Sequence, residues 1–364
     1  MRRTSKQNKF MHKVAIILVN YGDYAEKYLQ DCYASLQGQK LSSGTFKIYL
    51  VDNAASQKSQ EYLNKFENLV NIPRVDGNYC AANNAGIRTA IADNCDLFVI
   101  VNMDTVFAEN WLEELVTAID SDVTIGLVQS KILQFGKEIS GQPVLNNIGN
   151  EIHYLGHGYS RGNGMVDTEI DNGLMEIGGY ISGCSYIISG NLLKKINFYN
   201  EEYYMYLDDL EISWKAKLLG YKLVINPKSI VYHKYCFDRS AKMIYYMERN
   251  RYLAIFTFYK LATLILILPA LIAMELGIII FSLVNHWFDK KIAVYRYFLN
   301  LQNIKKILKI RRDVQALRTI DDRELLAGSV GKIEFQEINN FLLKYIGNPI
   351  LNLYWLIIKK VIIW

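Results

Sequence analysis

The sequence predicts an α/β protein whose mainly parallel sheet is covered by helices on both faces and is followed by C-terminal membrane-associating helices. Short apolar runs rich in β-branched residues alternate with helical patterns through the first part of the chain. Strands that alternate with helices form right-handed βαβ units, which place the strands parallel in one sheet. A long apolar segment between Leu253 and Trp287 predicts the helices of the C-terminal part.

The predicted elements follow one another in a regular order. Strands are expected at 14–19, 46–53 and 96–104, and helices at 24–37, 57–66 and 81–93. The stretch from about 136 to 179 is rich in Gly and Asn, which predicts an irregular β insertion that lines a site. After it we expect a strand at 180–189, a helix from Leu192, an amphipathic helix near Trp214 and strand segments at 223–227 and 229–233.

Composition excludes several classes of protein. Hydrophobic residues make up 51% of the 364 residues and charged residues 21%, so the chain has enough apolar surface to fold and is not disordered. The net charge of +5 is mildly basic, and no nucleic-acid-binding module is present, so we expect no nucleic-acid partner. Five dispersed cysteines without a CxxC pair predict free thiols in a reducing compartment, and the N-terminal part is expected to stay in the cytosol.

Polar residues follow three of the predicted parallel strands. Ligands bind at the carboxyl ends of such strands, so these side chains are expected to converge. They are Asn20, Tyr21, Asp52, Asn53, Asn102 and Asp104. Asp104 suits a divalent cation held against a diphosphate, but a helix N-cap is the alternative, and Asp52 also fits an ordinary turn.

The acidic cluster Asp208-Asp209-x-Glu211 follows an aromatic segment and opens an amphipathic helix. Two adjacent carboxylates in an apolar setting raise one pKa toward that of a general base. Acidic residues also stabilise the first turn of any helix, so the cluster by itself leaves both interpretations open. His233 follows a strand segment, and a lone histidine is more often structural than a ligand.

Taken together, these segments resemble the nucleotide-sugar-dependent glycosyltransferases of family 2, in particular the rhamnosyltransferase-like branch with the GT-A fold. The resemblance extends from residue 14 to about 253. Its pieces occur in the order of the family and read IILVNYGDYAEKYLQDCYASL, YLVDNAAS, NAGI, VNMDT, ISGCSYIIS, YYMYLDDLEISWKAKLLGYKLVINPKSIVYH and MERNRYL. It implies a Rossmann-like GT-A catalytic domain at 1–250, and the apolar and basic segments that follow predict a helical membrane-associating region at 251–364.

The resemblance also implies roles for individual residues. The nucleotide site would comprise Asn20, Tyr21, Asp52, Asn53, Asp104 and Arg249. Asp104 is similar to the metal-binding acid of the DxD motif, and His233 is similar to a histidine that completes the metal site. Asp209 matches the catalytic base of an inverting transfer, with Asp208 and Glu211 in support.

Two positions depart from the family pattern. Asn102 stands where the DxD motif has its first acid, which leaves fewer charged oxygens for a metal ion. The segment GNYCAANNAG is shorter than the usual glycine-rich loop and carries Cys80 near the position of the family's Gly-Phe pair.

The chemistry implied is sugar transfer from a nucleotide-diphosphate donor. Negative charge builds on the departing diphosphate, which Mg²⁺ or Mn²⁺ at Asp104 would stabilise. The acceptor is expected to be a glycan or lipid-linked saccharide at the cytoplasmic membrane, and rhamnose or another hexose the sugar. Two alternatives stay open: a polyprenyl-phosphate glycosyl synthase, whose phosphate could meet Lys234 and Arg239, and a catalytically silent glycan-binding scaffold.

The C-terminal region raises the question of a membrane. Residues 261–284 carry one charge, Glu275, and are long enough as a helix for one crossing of a hydrocarbon core about 30 Å thick. A basic stretch follows from Lys290 to Arg323, and basic segments stay cytoplasmic, on the side of the nucleotide sugar. We therefore expect a re-entrant or interfacial pair of helices in contact with membrane lipids, with a further interfacial helix at 350–364; a buried helical hairpin is the alternative.

Overall fold

The computed structural model describes residues 11–168, 173–234, 241–334 and 341–364. The strands are β1 His12–Asn20, β2 Gly44–Asp52, β3 Leu69–Pro73, β4 Leu97–Val101, β5 Thr105–Phe107, β6 Ile125–Ile139, β7 Gln142–Asn147, β8 Asn150–Ile152, β9 Gly158–Ser160, β10 Met175–Glu176, β11 Ser185–Ser189 and β12 Lys222–His233. The α-helices are α1 Tyr24–Gln37, α2 Gln57–Leu63, α3 Tyr79–Ala92, α4 Trp111–Asp120, α5 Gly190–Lys195, α6 Asp208–Leu218, α7 Ala241–Phe258, α8 Leu261–Val284, α9 Phe288–Leu299, α10 Leu301–Ala316, α11 Asp322–Leu325 and α12 Asn348–Val361.

One large sheet organises the N-terminal part in the order β10-β12-β6-β11-β4-β1-β2-β3. β4, β1, β2 and β3 run parallel, and β6 and β12 run in the same direction. β11 lies antiparallel between β4 and β6, and β10 is antiparallel at the edge. The predicted mainly parallel α/β sheet is therefore confirmed, with one antiparallel strand at its centre.

Both faces of this sheet are buried. Alternate residues of β1 enter two different hydrophobic clusters: Val14, Ile16 and Leu18 pack with α1 and α4, whereas Ala15 and Ile17 pack with α3. A strand covered on both faces is apolar at every position rather than at alternate positions. This explains the continuous VAIILV run.

The sequence did not predict β3, β5 or most of β6, and several other boundaries differ from those expected. Of the segment predicted as one strand over 96–104, only 97–101 form a strand, β4; residues 102–104 form a bend, and β5 follows it. The predicted insertion from 136 contains β7 to β10, but β6 begins earlier, at Ile125. The predicted strand at 180–189 is shorter, because its first residues form the bends that precede β11.

The C-terminal helices pack on the same hydrophobic core as the sheet. Trp355 of α12 stacks on Tyr154 with the ring centroids 4.8 Å apart, and Trp214 of α6 contacts Phe258 and Tyr259 at the end of α7. α7 continues without a break through residue 250, the boundary predicted from the sequence. Within the described residues α8 is the one helix that is long and apolar enough to cross a membrane.

Candidate active site

The carboxyl end of β1 is joined to the end of β2 by buried hydrogen bonds. The Asn20 amide donates to Asp52 Oδ1 at 2.8 Å, and Asn20 Oδ1 accepts from the backbone N–H of Ala25 at the start of α1. Asp52 Oδ2 accepts from Ser59 Oγ at 2.6 Å and from Gln60 Nε2 at 2.7 Å. Asn20 and Asp52 are fully buried, and we call this hydrogen-bonded pair the floor of the candidate site.

Tyr21 and Asn53 directly follow the two residues of this floor in the sequence. The Asn53 side chain is buried, yet its Oδ1 has no hydrogen-bond partner. An orphaned buried acceptor is costly unless a ligand supplies a donor. Tyr21 is 54% exposed, and Lys242 Nζ lies 5.3 Å from the centroid of its ring. The structure therefore offers an unused acceptor after β2 and an exposed aromatic ring after the neighbouring strand β1.

Asp104 and His233 meet although they are far apart in the sequence. β5 pairs antiparallel with β12, and this register places His233 opposite Thr105. His233 Nε2 lies 3.2 Å from Asp104 Oδ2, and both side chains are nearly buried. The other ring nitrogen, Nδ1, lies 2.8 Å from Asn146 Oδ1 on β7, which orients the imidazole.

The pKa values of this pair are displaced in opposite directions. Burial lowers the pKa of His233, but the Cys184 sulfur and the Asp104 carboxylate raise it to about 10. Burial raises the pKa of Asp104, but the hydrogen bond and the charge of His233 outweigh that effect and lower it.

The donor set fits a divalent cation that is shared with a substrate. Among the described ranges, no group of three His, Cys, Asp or Glu side chains could enclose a metal ion. Asp104 Oδ1, however, is buried and has no hydrogen-bond partner, so it is an available anionic ligand next to His233. Mg²⁺ is typically held by one or two carboxylates together with water and substrate phosphates, and Asp104 would supply such a carboxylate.

The acidic cluster opens α6, as predicted. Asp208 is buried, and Asp209 Oδ2 accepts from the backbone N–H of Gly183 at 3.1 Å. Burial raises the pKa of Asp208, and the charge of Asp209 raises it further. Burial also raises the pKa of Asp209, to about 6, although the N–H groups of Gly183 and Leu210 oppose this. Asp209 is therefore the carboxylate that ionises more readily.

Glu211 serves a different purpose in the structure. It is buried and forms an ion pair with Lys215, one turn further along α6. Lys215 Nζ also donates to the backbone carbonyl of Phe198 at 2.9 Å. The Glu211 carboxylate thus anchors α6 to the chain that precedes it.

Residues 183–184 connect the proposed base, Asp209, to the turn that leads to the proposed metal ligand, Asp104. Gly183 donates to Asp209, and the next residue, Cys184, accepts through its carbonyl from the backbone N–H of Asn102 at 2.9 Å. Asn102 lies two positions before Asp104. The first turn of α6 and the turn after β4 are therefore held on either side of residues 183–184.

The segment between Tyr203 and Asp208 has a strained backbone. Tyr204, Tyr206 and Leu207 have positive φ angles of 64°, 64° and 56°. Each such residue costs on the order of 1–3 kcal/mol and persists only where surrounding contacts fix it. The Asn250 amide provides these contacts, because it donates to the carbonyls of Tyr203, Met205 and Tyr206 at 2.7–2.9 Å.

Arg249 supports the same segment. Its guanidinium donates to the carbonyls of Glu202 and Tyr203, and it lies 4.8 Å from the centroid of the Tyr246 ring. The arginine proposed for the diphosphate is thus engaged, in this structure, with the backbone that precedes Asp208.

Sequence reasoning missed Asn146 and Asn250. Asn146 lies in the Gly- and Asn-rich stretch, which showed no motif, and Asn250 lies beside Arg249 in MERNRYL, where charge directed attention to the arginine. Of the basic residues proposed for a phosphate acceptor, Lys234 pairs with Asp31, and Arg239 lies outside the described residues. Cys236 also lies outside them, while the other four cysteines are free and buried, as predicted.

Comparison with known proteins bears on both the fold and the class. Residues 14–172 match the family described as glycosyl transferase family 2. No curated protein matches the chain in sequence. The solved structure of GalNAc-T7 with UDP, GalNAc and Mn²⁺ is 15% identical with a TM-score of 0.50, over 68% of this chain and 50% of GalNAc-T7. The chain therefore spans about half the length of that protein.

Two further structures have somewhat lower TM-scores. S. aureus TarS 1–349 in complex with UDP is 17% identical with a TM-score of 0.49, over 96% of this chain and 88% of TarS 1–349. The mannosyltransferase PcManGT from Pyrobaculum calidifontis, in complex with GDP-Man and Mn²⁺, is 11% identical with a TM-score of 0.47, over 85% and 86% of the two chains.

The fold of this chain is the GT-A fold of nucleotide-sugar-dependent glycosyltransferases. Residues 14–172 carry the sequence pattern of glycosyltransferase family 2. The rhamnosyltransferase-like branch stays a prediction.

Proposed function

We propose that this protein is an inverting glycosyltransferase that moves a sugar from a nucleotide-diphosphate donor to a hydroxyl group of a glycan or lipid-linked saccharide. One observation carries the proposal: residues 183–184 bond both Asp209 and the turn that ends in Asp104. A carboxylate with a raised pKa therefore lies close in the fold to an anionic residue suited to a cation and a diphosphate. A scaffold protein has no need for this arrangement.

Each step of the transfer has a residue that suits it. The donor base and ribose would lie against Asn53 and Tyr21, above the floor formed by Asn20 and Asp52. Asp104 and His233 would hold Mg²⁺ or Mn²⁺, which neutralises charge on the departing diphosphate. Asp209 would remove the proton of the acceptor hydroxyl as the new C–O bond forms on the opposite face of the sugar, and the anomeric centre is inverted.

The other predicted site residues act through these groups. Asp208 lies beside Asp209, and its preference for the neutral form leaves the single negative charge of the pair on Asp209. Glu211 fixes α6 through Lys215. Arg249 would hold the segment before Asp208 through the carbonyls of Glu202 and Tyr203. To contact the diphosphate, its guanidinium would have to leave these carbonyls.

The acceptor is the less defined partner. A hydroxyl acceptor needs a base but no additional cation, which agrees with Asp209 and with the pairing of Lys234 to Asp31. A lipid-linked acceptor agrees with the apolar α8 and with a catalytic domain on the cytoplasmic side of the membrane, where nucleotide sugars are found. We propose rhamnose or another hexose as the sugar.

The test is release of nucleoside diphosphate by the full chain purified in detergent. A panel of UDP-, GDP- and dTDP-sugars is supplied with Mg²⁺, with Mn²⁺ or with a chelator, beside the variant Asp209→Asn. We expect turnover with one donor that is lost in the chelator and in Asp209→Asn, and anomeric NMR of the product reports inversion. Retention of configuration would contradict the mechanism. Failure of every nucleotide to bind in calorimetry would contradict the function itself.

A further inference from the structure

α8 carries a continuous stripe of exposed apolar side chains. Six of them recur at intervals of three or four residues, so they lie on one side of the helix. They are Ile265, Leu268, Ile272, Leu276, Ile280 and Leu283, each between 47% and 64% exposed. Only 11% of the most apolar window of α8 is buried, so this helix is not the core helix of a soluble domain.

The C-terminal segment carries a second stripe. Leu342, Ile346, Ile350, Leu353, Ile357 and Val361 are each between 50% and 64% exposed and again recur every three or four residues. The other side of α12 packs on the protein through Leu351, Trp355 and Ile358. The two helices are joined, because Tyr354 donates to the carbonyl of Leu266 at 2.6 Å and the Trp364 indole donates to Thr263 at 2.9 Å. We call these two stripes the C-terminal apolar face.

The middle of α8 is tied to the protein by charge. Lys291 Nζ of α9 lies 2.7 Å from Glu275, and Arg251 of α7 lies 3.7 Å from it. Lys291 is fully buried, and both cations also pair with Glu248 of α7. α7 is in turn fixed to the catalytic domain, because Asn250 and Arg249 hold the segment before Asp208.

This network excludes a simple crossing of the membrane by α8. If α8 spanned the bilayer, Glu275 would lie near the middle of the hydrocarbon, and α7 and α9 with their buried charges would have to accompany it. Charged side chains at that depth are strongly disfavoured. A helix that is tied along one side and apolar along another suits a position parallel to the membrane, at the boundary of headgroups and acyl chains.

Charge identifies the partner. Residues 251–364 contain 16 Lys and Arg against 8 Asp and Glu, whereas residues 1–250 contain 25 against 28. A second copy of the chain would bring an equally basic region to this surface, which disfavours a dimer through it. An anionic bilayer supplies the opposite charge together with apolar depth.

We propose that the C-terminal apolar face inserts in the plane of an anionic lipid surface and that α8 lies along this surface without crossing it. The face is separate from the transfer site, so the proposal does not depend on the proposed function. It also places the catalytic domain at a fixed height above the lipid, within reach of an acceptor that is embedded in the membrane.

The first experiment is flotation of the full chain with vesicles of phosphatidylcholine alone or of phosphatidylcholine and phosphatidylglycerol in equal parts. We expect strong flotation with the anionic vesicles, reduced by salt. The triple variant Ile350→Gln, Leu353→Gln, Ile357→Gln should reduce the bound fraction about tenfold or more, since each lost apolar contact weakens insertion. A matched control replaces three apolar residues that are exposed elsewhere, Met11, Val123 and Met165, by glutamine and should float like the wild type.

Equal flotation of the two triple variants would overturn the proposal, as would a stable dimer in light scattering that does not bind vesicles. A loss of flotation together with a large fall in melting temperature would instead reflect unfolding. In that case the α8 triple Ile265→Gln, Ile272→Gln, Leu276→Gln repeats the comparison on the other stripe, and equal flotation of that variant and the control would overturn the proposal.

The second experiment tests orientation. One variant carries both Lys260→Cys and Asn285→Cys, which place a thiol at each end of α8. In the same variant Cys236 is replaced by serine, and the other cysteines are buried. The protein is reconstituted in vesicles and treated with a membrane-impermeant thiol reagent, and mass spectrometry counts the labels per molecule. An in-plane helix gives molecules with two labels or none. A population with a single label would show a crossing and overturn the proposal.

Discussion

At the scale of single residues, Asp209 is the group on which the proposed chemistry depends most directly. Replacement by asparagine keeps the shape of the side chain and removes its capacity to accept a proton. We expect Asp209→Asn to lower kcat by about 10²–10⁴-fold, the usual contribution of a general base. Nucleotide binding measured by calorimetry should be unchanged, because Asp209 is not placed in the donor site. A parallel loss of binding would assign the residue to the donor instead.

The pH profile gives an independent test of the same residue. A base must be ionised to act, and burial raises the pKa of Asp209 to about 6. We therefore expect kcat to be constant above that pH and to fall tenfold per unit below it, whereas a solvated aspartate with a pKa of about 3.9 would sustain the rate to much lower pH. The measurement is kcat at saturating donor from pH 4.5 to 8.5. A profile that is flat down to pH 4.5 would contradict the assignment.

Asn146 illustrates a residue that acts through another. Its Oδ1 meets His233 Nδ1 at 2.8 Å and leaves Nε2 directed at Asp104. Loss of such a partner typically lowers metal affinity by about 10–100-fold. We expect Asn146→Ala to show this loss in Mn²⁺ binding followed by paramagnetic relaxation, and to regain activity at high Mn²⁺. Asn64→Ala, at the exposed residue that follows α2, is the control, and equal Mn²⁺ affinities of the two variants would refute the role.

At the scale of elements, the segment from Tyr203 to Leu207 determines where α6 begins. Its positive φ angles direct the chain into the first turn that carries Asp208 and Asp209. Asn250 satisfies three carbonyls of this segment from α7. The proposed base Asp209 and its neighbour Asp208 are thus positioned by a strained segment that Asn250 of α7 holds in place.

We expect Asn250→Ala to release this segment and to lower kcat at least tenfold while the KM for the donor changes little. The reason is that Asn250 touches neither the donor floor nor the Asp104–His233 pair. Urea unfolding should show a cost of about 1–3 kcal/mol from the unpaired carbonyls. Asn250→Asp keeps the size of the side chain, but an ionised carboxylate donates no hydrogen bond to these carbonyls, so this variant should also be impaired. Asn285→Ala, at an exposed position, should not. A kcat for Asn250→Ala equal to that of Asn285→Ala would contradict the clamp.

The elements that the sequence identified share a physical property. β1, β2 and β4 are continuous apolar runs because both faces of the sheet are covered, and periodicity detects such runs directly. β6 escaped detection because Gln129, Ser130 and Lys131 interrupt its pattern. These polar side chains are satisfied by distant partners: Asn147, Ser185 and Asp167. β5 has only three residues, and β3 ends in a proline.

The residue types of the candidate site could be predicted from the sequence, but their contacts could not. Each strand end and the acidic cluster could be found, because their residue types and positions are local features of the sequence. Contacts such as those of Gly183 with Asp209 and of Asn146 with His233 join residues 26 and 87 positions apart. Such contacts depend on the packing of the whole chain, and no local pattern contains them.

At the scale of the whole molecule, the part of the chain that forms the large sheet and the C-terminal helices are joined by a shared core and by a buried charge network. Glu248, Arg251, Glu275 and Lys291 form this network, with two charges of each sign. A balanced buried network adds little net stability, but removal of one member leaves an uncompensated charge, which costs about 3–5 kcal/mol. The network thus holds α7, α8 and α9 in one arrangement.

We therefore expect Lys291→Met to lower the free energy of unfolding by about 3–5 kcal/mol, because Glu248 and Glu275 lose a common partner. The neighbouring Lys290 pairs with exposed Asp289, and Lys290→Met should change the free energy by less than about 1 kcal/mol. Guanidinium unfolding of the full chain in one detergent gives both values. The double variant Lys291→Met, Glu275→Gln removes one charge of each sign and should recover part of the loss. Equal stability of the two single variants would show that the network does not couple these helices and does not fix α8 to α7 and α9.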